Sequence, residues 1–333
     1  MTHLIEIDGP DDLARVRPGA STTPLTAAQF TAHAPGQSLA LVDSAGALLA
    51  RASVWWADTP VLADQRVGVV GHFDAEDGDS ARIILETACA RVRAAGCTCC
   101  VGPMDGNTWR SYRLVTDPGT APPFFLEPTN PPSWPGHFAR AGFGVLATYS
   151  SAIARDLTET DSRVPLAEAR VADQGIVIRS LRLDEADAEL RRIFALSLES
   201  FSRNFLYTPI AEREFLEQNR RILPFVVPDL VLLAERGDTL VGFLFAVPDV
   251  LQPSPEAVVI KTVAVSPALG GAGLGGLLVA LAHRRAHQLG FGRVIHALMH
   301  DQNVSRNISQ RTAETMRRYA VFVRPLGGGE GAR

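Results

Sequence analysis

The residues best suited to chemistry lie in one run, Val263-Ala264-Val265-Ser266-Pro267-Ala268-Leu269-Gly270-Gly271-Ala272-Gly273-Leu274-Gly275-Gly276. A β-branched strand enters a turn holding five glycines in seven residues, Gly270 to Gly276. The turn opens directly onto a helix with apolar residues at Leu274, Leu278 and Leu281. Glycines let a backbone take positive φ and approach a ligand closely. The free N–H groups and the dipole of the helix start then favour an anion, most naturally a pyrophosphate. Gly271 to Gly276 also match the dinucleotide fingerprint G-x-G-x-x-G in form. The context departs from that fold, since Ser266–Gly270 separates strand from motif and only about sixty residues follow.

Two residues before Val263 stands Lys261, the only lysine of the chain. Burial on a covered strand disfavours its ammonium form, and a nearby carboxylate would favour it. Three roles are open: an anchor for an acidic group on a substrate, a neutral base, or the partner of a structural carboxylate such as Glu256. A loop in the first half, Gly102 to Arg113, carries Asn107, Trp109, Tyr112 and Arg113, and Phe124-Phe125-Leu126-Glu127-Pro128 follows. Aromatics beside arginines suit a small-molecule pocket, and the loop is too long for a mere connection. Packing against a domain interface is the plain alternative. His283 and His287 have the spacing of metal ligands but fall opposite the helix's apolar stripe, so a solvated face and no metal are expected. Cys89, Cys97, Cys99 and Cys100 crowd together in a way that suits buried thiols rather than disulfides.

These residues need a scaffold, and its periodicities repeat. In the first half, strands at Leu39–Val42, Ala47–Trp55 and Val67–Phe73 precede a helix over Asp79–Ala95, whose Ile83, Ile84, Ala88 and Val92 mark one buried face. A strand at Cys97–Val101, a short helix at His137–Gly142 and a strand at Val145–Ala152 follow. In the second half, strand Ile176–Ser180, helix Asp184–Leu198, a hairpin of Leu230–Glu235 with Leu240–Val247, strand Val258–Val265, helix Gly273–Leu289 and strand Val294–Leu298 repeat the order. Ala320–Val323 is expected to close that half. The pattern predicts a mixed α/β fold made of two tandem copies of one unit. They span residues 1–157 and 175–326, joined by a polar linker at 158–174 and followed by a disordered tail at 327–333.

The chain has 333 residues, 46% of them hydrophobic, with a net charge of −4. That is enough for two cores and gives no basic surplus for nucleic acid. No run approaches the ~20 apolar residues of a membrane span. The N-terminus lacks a signal-peptide pattern, so a cytoplasmic protein is expected.

Strand, proline turn and glycine-rich helix start together resemble the coenzyme A loop of the GNAT superfamily, over about residues 175 to 326. Gly270 stands where that family has Gln or Arg. The resemblance implies an acyl-CoA-dependent N-acyltransferase, with acetyl-CoA or another acyl-CoA as co-substrate and an amine of a small molecule as acceptor. It implies coenzyme contacts from Val263, Ala264, Val265, Gly270, Gly271, Ala272, Gly273, Leu274, Gly275, Gly276 and Asn303, with the Val265 amide polarising the thioester. Lys261 takes the position of the family's frequent glutamate. The family's tyrosine is replaced by Gln310; Tyr319 is the nearest candidate acid, or else a packed tyrosine of the last strand, and Ser305 and Ser309 are further candidates or caps of a short helix. Tyr207 falls where the family shapes its acceptor pocket. The first half resembles the same family in outline, down to Gly142-Phe143. Asp74, Glu76, Asp77 and Asp79 there would repel a pyrophosphate, so that half is expected to be degenerate. A coenzyme-binding regulator and a nicotinamide-dependent oxidoreductase are the alternatives.

Overall fold

A computed structural model describes residues 2–158, 161–269 and 273–327; Gly270, Gly271, Ala272 and the glycine-rich tail from residue 328 lie outside the described residues. The first half runs β1 (His3–Ile7), α1 (Ala27–His33), β2 (Gln37–Val42), β3 (Leu48–Trp55), β4 (Val67–Ala75), α2 (Gly78–Ala94), β5 (Cys99–Gly102), β6 (Leu114–Asp117), α3 (Trp134–Arg140) and β7 (Gly144–Ala154). The second runs α4 (Val164–Asp173), β8 (Ile176–Ser180), α5 (Ala186–Phe201), α6 (Glu212–Arg220), β9 (Leu232–Arg236), β10 (Thr239–Pro248), β11 (Ala257–Val265), α7 (Leu274–Gln288), β12 (Arg293–His300), α8 (Val304–Ser309) and β13 (Glu314–Pro325). All the strands share one mixed sheet, in which β4–β5 and β11–β12 are parallel and the other named pairs antiparallel.

Local sequence accounts for the helices that build the two cores. On α2, Ala81, Ile84, Leu85, Ala88, Cys89 and Val92 make one buried stripe at helical spacing. Asp77 caps its start by accepting from Ser80 N at 2.8 Å. Full burial of a side chain such as Ile84 contributes about 1.5–3 kcal/mol, so Ile84→Ala is the change that would loosen this layer most directly. On α7, Leu274, Leu277, Leu278, Ala282 and Ala286 pack over the second half of the sheet.

Two expectations need correction here. The stretch read as a polar linker holds α4, whose Val164, Ala167 and Val171 pack into the second core. Three small apolar residues among charges were too thin a stripe to stand out, although Pro165 and Gly175 mark its ends. Nor does the last strand close its own half. The strands lie in the order β4-β5-β13-β7-β12-β11, so β13 completes the first half's sheet and β7 completes the second's. The long β7–β13 pairing, Val323↔Gly144 through Glu314↔Ile153, joins them. Ala320 and Phe322 accordingly pack in the first core, and Ala154 in the second. Alternation identifies a strand but not its neighbour, which is why the exchange left no local mark.

Candidate active site

The site opens where two parallel strands part. β11 and β12 pair from Ala257↔Arg293 to Ile260↔His296 and no further. Immediately beyond, β11 carries a bulge at Lys261, between Phe245↔Thr262 and Ala246↔Ile260. The direction of the backbone groups past the bulge follows from the register. Ser266 N donates to Val241 O at 2.8 Å, which makes Val265↔Gly242 a non-hydrogen-bonded pair. The amide and carbonyl of Val265, and by alternation those of Val263, therefore point away from β10 and into the gap. Ala264 faces the opposite way, and its side chain packs with α5 and α6. Ser200 Oγ donates to Val265 O at 3.2 Å, which leaves the Val265 N–H beside it directed at the gap.

The gap widens into a cleft of about 1360 Å³. Gly273, Gly275 and Gly276 form one wall at the start of α7. Gly273 caps the helix at φ +80°, a conformation that L side chains resist. Arg163, Arg170, Arg203, Arg284 and Arg311 border the cleft as well. Asp161 pairs with Arg163 and Arg311 and Glu168 with Arg284, whereas Arg170 and Arg203 have no acidic partner among the described residues. Sequence reasoning missed this cationic border, because its members come from α4 and its N-cap, the α5–α6 connection, α7 and the loop after α8. Asn303 lines the cleft at the start of α8, its N–H bound to His300 O at 2.9 Å.

The far wall is aromatic and cationic and comes largely from the first half. Trp109, Tyr112, Arg113 and Tyr149 line it, facing Tyr207 and Phe205. Trp109 Nε1 donates to Thr208 O at 2.8 Å, and Arg110 forks onto Glu214 at 2.6 and 2.9 Å, so the long loop is clasped to the second half. Arg113 lies over the Tyr112 and Tyr149 rings at 3.8 and 4.3 Å, and its Nε is buried without a partner. Asn107 does not border the cleft: its Oδ1 accepts from Trp109 N at 2.9 Å and Arg110 N at 3.2 Å, holding the turn that presents Trp109.

Lys261 projects into this wall, and its Nζ donates to Leu126 O at 2.7 Å. Burial and, less strongly, the Arg113 charge together push its pKa down to about 7, against the opposing pull of Glu127. Glu256, the carboxylate anticipated for it, pairs with Arg293 instead. Glu127 is raised by its own burial, against the pull of Tyr319 and Arg317. Tyr319 is therefore corrected as the candidate acid. It is fully buried, its hydroxyl is bonded to Glu127 and to Ser151 Oγ (3.0 Å), and burial raises its pKa. Having no face on the cleft, it does the work of a core residue.

One histidine of this region escaped the sequence reading and another was misplaced by it. His300 lines the cleft beside Tyr149 and Phe205. Its Nδ1 accepts from Gln302 N at 3.1 Å, so the neutral ring carries its proton on Nε2, and that atom is buried without a partner. Burial lowers its pKa. His283 is likewise not on a solvated face: it is buried, one turn from Val279 and Ala286, with Nε2 2.7 Å from His296 Nε2. His296 Nδ1 reaches Ser309 Oγ at 2.8 Å, tying α7, β12 and α8 together beneath the cleft.

The corresponding place in the first half is closed. β4 and β5 stop pairing at Val69↔Val101, but Met104 N then bonds Val70 O at 2.8 Å and Asp105 Oδ1 accepts from His72 N at 2.6 Å. A Cβ on Gly71 would lie 2.0 Å from Met104 O, so glycine is what lets the chain fill this gap. Asp74 and Glu76 bind the backbone of Thr23, Ala20 and Ser21 over the turn.

Comparisons with known proteins agree with this geometry. Residues 190–311, from α5 through the loop after α8, match the Acetyltransferase (GNAT) family. Among curated proteins no sequence matches. In fold the chain is similar to a GCN5-related N-acetyltransferase from Sphaerobacter thermophilus, at TM-score 0.50 and 12% identity over 88% of this chain and 81% of that one. It is similar over 99% of its length to the whole of a tandem GNAT protein from the clavulanic acid biosynthesis pathway, at TM-score 0.50 and 12% identity. A GCN5-related glucosamine N-acetyltransferase region of a fungal multi-domain GH3 beta-N-acetylglucosaminidase matches at TM-score 0.53 and 14% identity, over 97% of this chain and 38% of that one. With its parted strands, glycine-started helix and two repeated units, the chain has a fold similar to that of the tandem GNAT protein, and its residues 190–311 match the GNAT family.

Proposed function

We propose that the second half, residues 175–326, transfers an acetyl or other acyl group from coenzyme A to an amine of a small acceptor that carries an acidic group. The carrying observation is the parting of β11 from β12 at Ile260–His296, with the Val263 and Val265 backbone turned into the gap. A pantetheine arm fits there as a strand-like insert bonding those groups. The pyrophosphate falls to the start of α7, and the remaining phosphate to Arg170 and Arg203. The Val265 N–H then polarises the thioester carbonyl, and Asn303 flanks the coenzyme.

On the acceptor side, the aromatic wall of Trp109, Tyr112, Tyr149 and Tyr207 excludes water, while Lys261 and Arg113 supply two cations. Lys261 has donors beyond the one that holds Leu126 O, and an acceptor carboxylate would restore the charge that burial suppresses. His300 Nε2–H offers a further donor to a bound oxygen. Transfer is direct: the amine attacks the thioester carbon, the tetrahedral oxyanion is held by the amide, and the C–S bond breaks, the proton lost by the nitrogen balancing the one the departing thiolate takes up. The residues 1–157 are a degenerate partner whose loop completes the acceptor wall.

The test is thiol release from acetyl-CoA with pairs of amines matched except for a carboxylate. Carboxylate-bearing amines are expected to turn over. Lys261→Met should raise their KM at least tenfold with a smaller change in kcat, and Lys261→Arg should keep part of the binding. A kcat collapse in both variants at unchanged KM would assign Lys261 to proton transfer. Coenzyme binding without turnover of any amine would favour a non-catalytic regulator, a reading that the buried Tyr319 supports.

A further inference from the structure

Away from the cleft, three donor side chains converge in the first half. His33 ends α1, His72 lies in β4 and Asp105 follows β5, and one ligand atom from each lies within 4.8 Å of the others. Their sequence separations of 39 and 33 residues form no motif, so only the fold reveals them. His33 Nδ1 is 2.7 Å from His72 Nε2. The other nitrogen of His72 meets Ser53 Oγ at 2.8 Å, and Ser53 meets Ser38 Oγ at 2.6 Å. That pair of serines fixes the ring with Nε2 turned to His33, as outer hydrogen bonds fix imidazoles that hold metals.

The remaining chemistry agrees. His72 is buried and His33 half-buried, so both imidazoles face the site from inside the fold. Asp105 uses Oδ1 for His72 N, which leaves its second oxygen for an ion. The two nearby cations have carboxylate partners of their own, Arg110 in Glu214 and Arg51 in Asp74 at 3.9 Å.

We propose that His33 Nδ1, His72 Nε2 and the Asp105 carboxylate bind one divalent ion of the zinc type, with water as fourth ligand. Two nitrogens and an oxygen suit zinc, whose bonds of about 2.0–2.1 Å set neighbouring ligands about 3.3 Å apart. Seating the ion therefore parts the two imidazoles by about 0.6 Å from their 2.7 Å contact. The ion pins α1, β4 and the start of the loop bearing Trp109, Tyr112 and Arg113. Arg110 adds to this clasp by donating to His33 O at 3.1 Å and Asp105 O at 3.2 Å. The second half has Val263 and His300 where the first has His72 and Asp105, counting from the last paired residues of each strand pair. The metal site thus occupies the position that remains a cleft in the other half.

The test uses the full chain without an affinity tag, stripped by chelator and dialysed against Zn²⁺ or Co²⁺ alone. One equivalent per chain is expected, with visible d–d absorption of four-coordinate cobalt. Saturating zinc should raise Tm by about 5 °C. His33→Gln and Asp105→Asn, checked for unchanged circular dichroism, should each lose the stoichiometric ion, the cobalt spectrum and the Tm rise. His283→Asn should keep all three. No ion in the wild type, or an ion retained by both His33→Gln and Asp105→Asn, overturns the assignment. An ion lost only in His283→Asn overturns it too, by moving the metal to the pair beneath the cleft.

Discussion

Lys261→Met offers a test of the site that needs no substrate. An ordinary lysine titrates near 10.5, and Lys261 is pushed down to about 7. Below pH 7 the amine is charged in both folded and unfolded chains, and the folded chain carries the full cost of a buried ammonium. Between 7 and 10.5 the unfolded chain binds a proton that the folded one has released, so stability rises with pH, by up to about 1.4 kcal/mol per pH unit. The whole displacement corresponds to about 5 kcal/mol, and water entering the cleft would leave about 2–3 kcal/mol of it. Methionine removes the charge at similar volume, so the variant should be more stable than wild type at pH 6 by that amount. The advantage should shrink steadily towards pH 9.5. Loss of the bond to Leu126 O subtracts about 1 kcal/mol at every pH and does not alter the slope. Urea unfolding of both proteins at pH 6, 7.5 and 9.5 gives the difference, in which other titrating groups cancel. A difference independent of pH would mean that Lys261 keeps an ordinary pKa, and the electrostatic account of the acceptor wall would fall with it.

Other outcomes follow from the same geometry. Gly276→Glu, on the first turn of α7 where an added Cβ meets nothing, should weaken acetyl-CoA binding about a hundredfold in calorimetry while leaving Tm within a degree or two, since an acid there suits the helix dipole but repels a pyrophosphate. Calorimetric titration should give one coenzyme per chain, because Met104 and Asp105 fill the equivalent gap in the first half; two equivalent sites would contradict that reading. Tyr319→Phe should leave kcat within about threefold but lower stability by about 1–3 kcal/mol, since Glu127 loses a buried donor; a hundredfold loss of kcat at unchanged stability would restore Tyr319 as the acid.

The elements around the chemistry were legible where one strong period marked them. The stripe of α2, the hairpin of β9 and β10, and the strand–glycine–helix junction at Val265 to Leu274 could all be read directly. The glycine run pointed to the cleft wall, and Trp109, Tyr112, Arg113, Tyr207 and Lys261 do border one space. What escaped depended on contacts between distant segments. Tyr319 looked available because a strand residue shows its face but not what covers it, and Glu127, 192 residues away, is what occupies its hydroxyl. His300 and Tyr149 sit on strands that meet only through the exchanged pairing, Tyr149↔His300, and neither has a neighbour in sequence to signal it. Asn107 was chosen for its chemistry, whereas an asparagine two residues before a tryptophan is also the usual device for folding a turn.

The exchanged strands make the order of synthesis matter. β5 leaves the ribosome some two hundred residues before β13, its antiparallel neighbour. The first half therefore emerges with an unsatisfied strand edge and an incomplete core, and it must wait for β13 to finish folding. Contacts of such span slow the search for the native state, and the waiting edge is the segment most exposed to wrong pairing meanwhile. Neither half is a separable module, and a chain stopped just before residue 314 would lack buried residues of the N-terminal core while keeping those of the C-terminal one.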